Sequence, residues 1–199
     1  KQEELKLFRY IYGCSEDWDV IPFEAPDFLC RRDGSTVLGV EVTELWHNET
    51  ASRLKNIEGY ALDLLGGGGY RHKDDKKNVK IEVVKYTPRG EEDKAKEINA
   101  IIHEMPNLKE KVSMLEAALK LKEGKVATYI KTCPVEDLII EDAPSLFLFE
   151  KYENIFHPIS GFINRSSIIN SPFREIFLVT ETIENKKVYM PLKLNLFAE

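Results

Sequence analysis

The sequence contains no apolar run approaching the ~18 residues a membrane helix needs, so no spanning segment is expected. Its first ten residues, KQEELKLFRY, lack the apolar stretch of a secretory leader. Cysteine is scarce. Cys14, Cys30 and Cys133 are odd in number and widely spaced, which argues against a disulfide framework and for reduced thiols in a cytoplasmic setting. No Cys-x-x-Cys occurs, and His47, His72, His103 and His157 show no zinc-ligand spacing. His103-Glu104 lacks the second histidine of a zinc-protease helix, and no Gly-x-Ser-x-Gly nucleophile elbow is present. The run GGGGYRHKDD lacks the Gly-Lys-Ser/Thr of a phosphate-cradling loop and reads as a surface turn. A surplus of positive charge is also missing. The formal net charge of −6 gives no global pull toward nucleic acid, so such binding would need a local basic patch. Without internal repeats or low-complexity linkers, residues 1–199 are expected to form a single domain with a substantial core.

The elements that are there alternate. Residues 2–12 read as a helix with Glu4, Leu5, Phe8, Ile11 and Tyr12 on one face, ended by Gly13. Residues 20–45 read as extended, with the turn pair Asp33-Gly34 between two apolar runs. A helix over 49–65 should stop at Gly66–Gly69, the charged RHKDDKK should be a solvated loop, and VKIEVVKY (79–86) should be a strand. Helices are predicted over 92–105 and 108–122, the second opened by an Asn107/Glu110 capping box and ended at Gly124. The C-terminal third offers the strands VATYIK, DLII, LFLF, EIFLVTE and KVYMPLKL, with Pro191 confining the last to an edge or bulge. The expected class is α/β, a mixed central sheet flanked by helices.

The stretch APDFLCRRDGSTVLGVEVTEL places Asp27 and Glu41 in otherwise apolar runs. A two-residue turn at Asp33-Gly34 would pair Arg32 with Ser35 and put the two acids on opposite faces. A three-residue loop, Arg32-Asp33-Gly34, would pair Arg31 with Ser35. Phe28 would then lie across from Leu38, Cys30 across from Thr36 and Asp27 across from Gly39, with Glu41 and Thr43 on Asp27's face. A one-residue slip exchanges every side chain between faces. The three-residue loop is expected because it gathers Phe28, Leu38, Val40 and Val42. Two neighbouring carboxylates repel unless a cation or donor compensates, and a hard cation such as Mg²⁺ suits oxygen ligands. Glu4, on the apolar stripe of the first helix, is a candidate third acid. The plainer alternative is a solvated strand face.

A helix, a strand opening with Pro26-Asp27, a hairpin, and a strand carrying Glu41-Val42-Thr43 together resemble the PD-(D/E)xK nuclease superfamily, over roughly residues 1–86. The resemblance implies a restriction-endonuclease-like core, here with additional C-terminal strands. It also implies metal-assisted phosphodiester hydrolysis, with Mg²⁺ or Mn²⁺ held by Glu4, Asp27 and Glu41. Nucleic acid would be the partner, DNA ahead of RNA, and a homodimer could address two strands. The family lysine is replaced by Thr43, whose hydroxyl can orient water but carries no charge. Lys55 on the following helix, and Lys80 or Lys85 on the next strand, are candidates to supply that charge. Without one, the implied alternative is a catalytically silent binding or regulatory module. A protein-interaction domain with merely solvated acids is the third possibility.

Overall fold

A computed structural model describes residues 1–13, 18–87, 95–129, 133, 135–147 and 156–198. The chain groups into two compact units, although the sequence shows no linker at either junction. One comprises Lys1–Leu45 with Asn107–Glu199, and the other Trp46–Pro106. Among the described residues no helix is long and apolar enough to cross a membrane.

The first unit is α/β, with a six-stranded mixed sheet flanked by helices. Helix α1 (Gln2–Tyr12) leads into β1 (Asp19–Pro22), β2 (Phe28–Arg32) and β3 (Ser35–Leu45), an antiparallel meander. Helix α5 (Leu108–Tyr129) then crosses over to β6 (Glu136–Asp142), which runs parallel to β3. Strand β7 (Ile176–Glu181) is parallel to β6, and β8 (Lys187–Pro191) closes the edge antiparallel, giving the order β1-β2-β3-β6-β7-β8. Pro191 does lie on an edge strand, where the ladder tolerates its missing N–H. The short helices α6 (Phe156–Ser160), α7 (Arg165–Ile169) and α8 (Leu192–Ala198) complete the unit.

Strand β6 is apolar on both faces because helices cover both. Ile139 joins Leu7, Phe8, Phe28, Cys30, Leu38, Val40, Val42 and Val179 beneath α1. Leu138 and Ile140 pack on the other face with Val112, Leu115, Leu119 and Val126 of α5. Asp137, fully buried, ties the α1 side together by accepting from Tyr12 Oη at 2.6 Å and Arg174 Nε at 2.9 Å. Burial, then the Asp137 charge, raises the Tyr12 phenol above its ordinary range.

The hairpin differs from expectation. Asp33 and Gly34 both adopt positive φ, 52° and 77°, as a two-residue type I′ turn requires, and Arg32 pairs with Ser35. A bulge between Cys30 and Arg31 then shifts the register, so Cys30 faces Leu38 and Phe28 faces Val40. The apolar residues still gather on one face, but the bulge does what a longer loop was expected to do. Gly39 accordingly faces Leu29, not Asp27.

Other expectations for this unit also need revision. Helix α5 runs through Gly124, so residues 126–129 of VATYIK are helical; residues 130–131 lie outside the described chain. Leu146 and Phe147 form a turn, pinned because Asp142 accepts both of their N–H groups at 2.7 and 2.6 Å. The rest of LFLF lies outside the described residues, as does Cys14. KVYMPLKL is strand only as far as Pro191, after which α8 begins. The capping box is present as expected, with Glu110 N–H donating to Asn107 Oδ1 at 3.0 Å and Asn107 N–H to Glu110 Oε2 at 2.8 Å.

The second unit holds α2 (Glu49–Asn56), α3 (Tyr60–Leu65), α4 (Asp75–Asn78) and an antiparallel pair, β4 (Lys80–Tyr86) with β5 (Lys96–Ile102). The helix expected over 49–65 is broken at Gly59, which adopts φ 71°. Residues 96–102 of the helix expected over 92–105 form a strand, because Ile98, Ala100 and Ile102 alternate against β4; residues 92–94 lie outside the description. RHKDDKK is not wholly solvated. Asp75 is fully buried, accepting from Tyr60 Oη and Arg53 Nη2, each at 2.5 Å.

Candidate functional site

Asp27 precedes β2, and its Oδ2 accepts from Val42 N–H on β3 at 2.8 Å, which fixes the carboxylate to the strand that carries Glu41. Its Oδ1 is bonded by Lys1 Nζ, which also lies 3.2 Å from Glu4 Oε2 on α1. Burial alone would lower the Lys1 ammonium, but the bonds to Asp27 and Glu4 raise it. Glu4 and Asp27 are thus joined through one lysine.

Glu41 is 5% exposed, on the face of β3 that α5 covers. Lys122 of α5 reaches across and donates to Glu41 Oε1 at 2.5 Å, an ion pair almost wholly shielded from solvent. Low dielectric makes such a pair strong in its Coulomb energy and costly to break on one side. Thr43 follows two residues along β3, half-buried and level with Ile140 of β6.

Glu136, the first residue of β6, lies level with Gly39. A side chain at Gly39 would meet Pro26 Cγ at 2.7 Å and Glu136 Cγ at 3.2 Å. The glycine therefore leaves room for both the Pro26 ring and the stem of Glu136 to approach the middle strand. Glu136 is 4% exposed, and neither carboxylate oxygen has a hydrogen-bond partner among the described residues. Burial first, and the neighbouring Glu41 charge second, push its carboxyl up to about 7. Tyr129, near the C-terminal end of α5, is the common neighbour. Its phenol is raised by burial, then by the charge of Glu41 and a hydrogen bond with it, then by the charges of Glu136 and Asp27.

Asp27, Glu41, Glu136, Lys1, Lys122 and Tyr129 thus form one neighbourhood supplied by the meander, α5 and β6. Lys55 lies on α2 in the second unit, its ammonium 5.1 Å from the Trp46 ring centre. Lys80 and Lys85 lie on β4 of that unit, Lys85 paired with Glu97 at 3.0 Å. Lys122, Glu136 and Tyr129 are additions that the sequence reading missed. Lys122 carried a legible signal, since it stands on a helix between two strands, and such crossovers lie against the sheet. Glu136 stands one residue before the run read as DLII, so the sequence gives it no signal of its own.

As the side chains stand, no three His, Cys, Asp or Glu groups among the described residues converge closely enough to hold a metal. The donors are nonetheless all carboxylate, and Glu41 Oε2 shares with Glu136 the condition of being buried without a partner. Orphaned carboxylate oxygens are what a hard divalent cation satisfies, so Glu41 and Glu136 fit such an ion chemically, while both Asp27 oxygens already accept from Lys1 Nζ and Val42 N–H. No family model, curated protein or solved structure matches the chain.

Proposed function

We propose that the chain is a divalent-cation-dependent phosphodiester hydrolase of restriction-endonuclease-like fold, acting on nucleic acid and on DNA before RNA. The observation that carries this is Lys122 Nζ at 2.5 Å from Glu41 Oε1, with Asp27 bonded to the next residue of the same strand. It supplies the acid, acid and lysine of the PD-(D/E)xK pattern, with the lysine moved from the Thr43 position to the crossover helix. The order helix, three antiparallel strands, helix, parallel strand agrees with that core. On this reading the second unit is an insertion between the third strand and the crossover helix, and β7 and β8 extend the sheet.

Asp27 and Glu41 would hold Mg²⁺ or Mn²⁺, with Glu4 adjacent through Lys1. The cation, when bound, would neutralise charge on the phosphate and lower the pKa of a water. Lys122 contributes a fixed positive charge in a largely dry site, where a preorganised charge is worth far more than in water. Thr43, farther along the same strand, offers a hydroxyl to orient water or phosphate.

The test is cleavage of supercoiled and linear DNA in Mg²⁺ or Mn²⁺, with chelator as control. Asp27→Asn and Lys122→Met should each lower the rate by about 100-fold or more, as removal of a transition-state charge contact does. Lys55→Ala should leave it unchanged. The reverse pattern, dependence on Lys55 and indifference to Lys122, would refute the assignment of the lysine. A second reading, a catalytically silent binding module, is favoured by the fact that Asp27 and Glu41 each already have an ammonium partner. It requires that the native chain cut neither DNA nor RNA and bind no divalent cation.

A further inference from the structure

We propose that Glu136 is a third carboxylate ligand of this site, holding a divalent cation together with Glu41 and Asp27. The inference rests on the cation-dependent reading above and names a residue outside the Pro-Asp and Glu-x-Thr pattern.

Three observations carry it. Glu136 and Glu41 lie on adjacent parallel strands and face the same side, since Gly39 is level with Glu136 and Glu41 is two residues on. Three of their four carboxylate oxygens, Glu41 Oε2 and both of Glu136, are buried with no hydrogen-bond partner among the described residues. A buried carboxylate left unpaired is among the costliest groups a fold can hold, so one retained against a second carboxylate calls for a partner. Finally, among the described residues Lys1 and Lys122 supply the ammonium partners of Glu4, Asp27 and Glu41, and none pairs with Glu136.

Gly39 leaves the space in which Pro26 and the Glu136 stem approach the strand that bears Glu41. Among the described residues the carboxylates do not yet stand close enough together to hold an ion, so binding requires them to turn toward one another as Lys1 and Lys122 are displaced. An all-oxygen donor set of this kind suits Mg²⁺ or Mn²⁺ rather than a soft metal. The ion competes with Lys1 and Lys122 for Asp27 and Glu41, whereas Glu136 has no partner among the described residues to surrender.

Calorimetric titration of Mn²⁺ alone into the full chain tests this, with thermal stability recorded with and without the ion. Native protein should bind. Glu136→Gln, which keeps shape and removes charge, should weaken binding by about tenfold or more and abolish the Mn²⁺-induced rise in Tm. Glu136→Asp, which keeps charge and shortens reach, should also weaken it and serves if the amide variant misfolds. Native-like Mn²⁺ affinity in both variants, or no binding by the native chain, overturns the proposal. Glu136-dependent binding without cleavage of any nucleic acid would support the site and defeat the nuclease reading instead.

Discussion

Glu136 sets an energetic problem at the scale of one side chain. Its carboxyl titrates at about 7 against an ordinary value of 4.5, because burial and Glu41 both disfavour the anion. Between these two values the folded chain binds a proton that the unfolded chain has released. Stability therefore falls as pH rises from about 4.5 to about 7 and levels off above, by on the order of 3 kcal/mol from this group. Urea denaturation in chelator from pH 5 to 8 should show the decline in native protein and most of it removed in Glu136→Gln. Equal slopes would mean that other groups cause it. Glu41, Asp27 and Lys122 remain in both proteins, so the difference isolates Glu136. Glu41 was legible because it interrupts an alternating strand. Glu136 was not, because β6 begins one residue before the apolar run read as DLII, and strand ends lie beyond what alternation resolves. Lys122 meets a partner 81 residues away, a contact that only the crossover creates.

At the scale of elements, the three-residue loop expected at Asp33-Gly34 is a two-residue turn, whereas the turn pair itself, the first helix and the capping box share a local cause and were readable for that reason. The bulge between Cys30 and Arg31 was not, since its reason is the packing of Phe28, Cys30, Leu38, Val40 and Val42 beneath α1. Helix α5 makes the same point from the other side. A glycine ordinarily weakens a helix, yet Gly124 lies inside one that continues to Tyr129, held by Val126 and Tyr129 in the core. Tertiary burial outweighs local propensity here, at a cost of roughly 1 kcal/mol relative to alanine. A methyl group at Gly124 would meet nothing within 4 Å, and its φ is not left-handed. Gly124→Ala should therefore raise stability by about 1 kcal/mol in urea denaturation. Were the helix to end at Gly124 in a left-handed cap, the same substitution would destabilise. The sign of the change thus tests whether α5 extends far enough to carry Tyr129 to Glu41. The strand β5 was misread as a helix because its apolar residues satisfy either period over so short a stretch.

At the scale of the whole molecule, two units built on different cores should respond separately to damage. The first unit packs both faces of its sheet. The second, Trp46–Pro106, relies on a small set of buried groups around Asp75, where Arg53, Tyr60 and Thr50 converge from α2 and α3. Burial alone would raise the Asp75 carboxyl, but its bonds to Arg53, Tyr60 and Thr50 hold it below the ordinary value. A domain of about 60 residues buries proportionally little surface, so loss of one such group weighs heavily. Asp75→Asn removes the charge these donors face and leaves every residue of the candidate site untouched. Hydrogen exchange should accelerate by about tenfold or more across α2, α3 and β4, while β3, β6 and β7 keep native protection. Mn²⁺ affinity in the same variant should match native protein, because Asp27, Glu41, Lys122 and Glu136 all belong to the first unit. If protection and cation binding fall together in both units, the chain behaves as one cooperative domain, as the absence of linkers in its sequence had led us to expect.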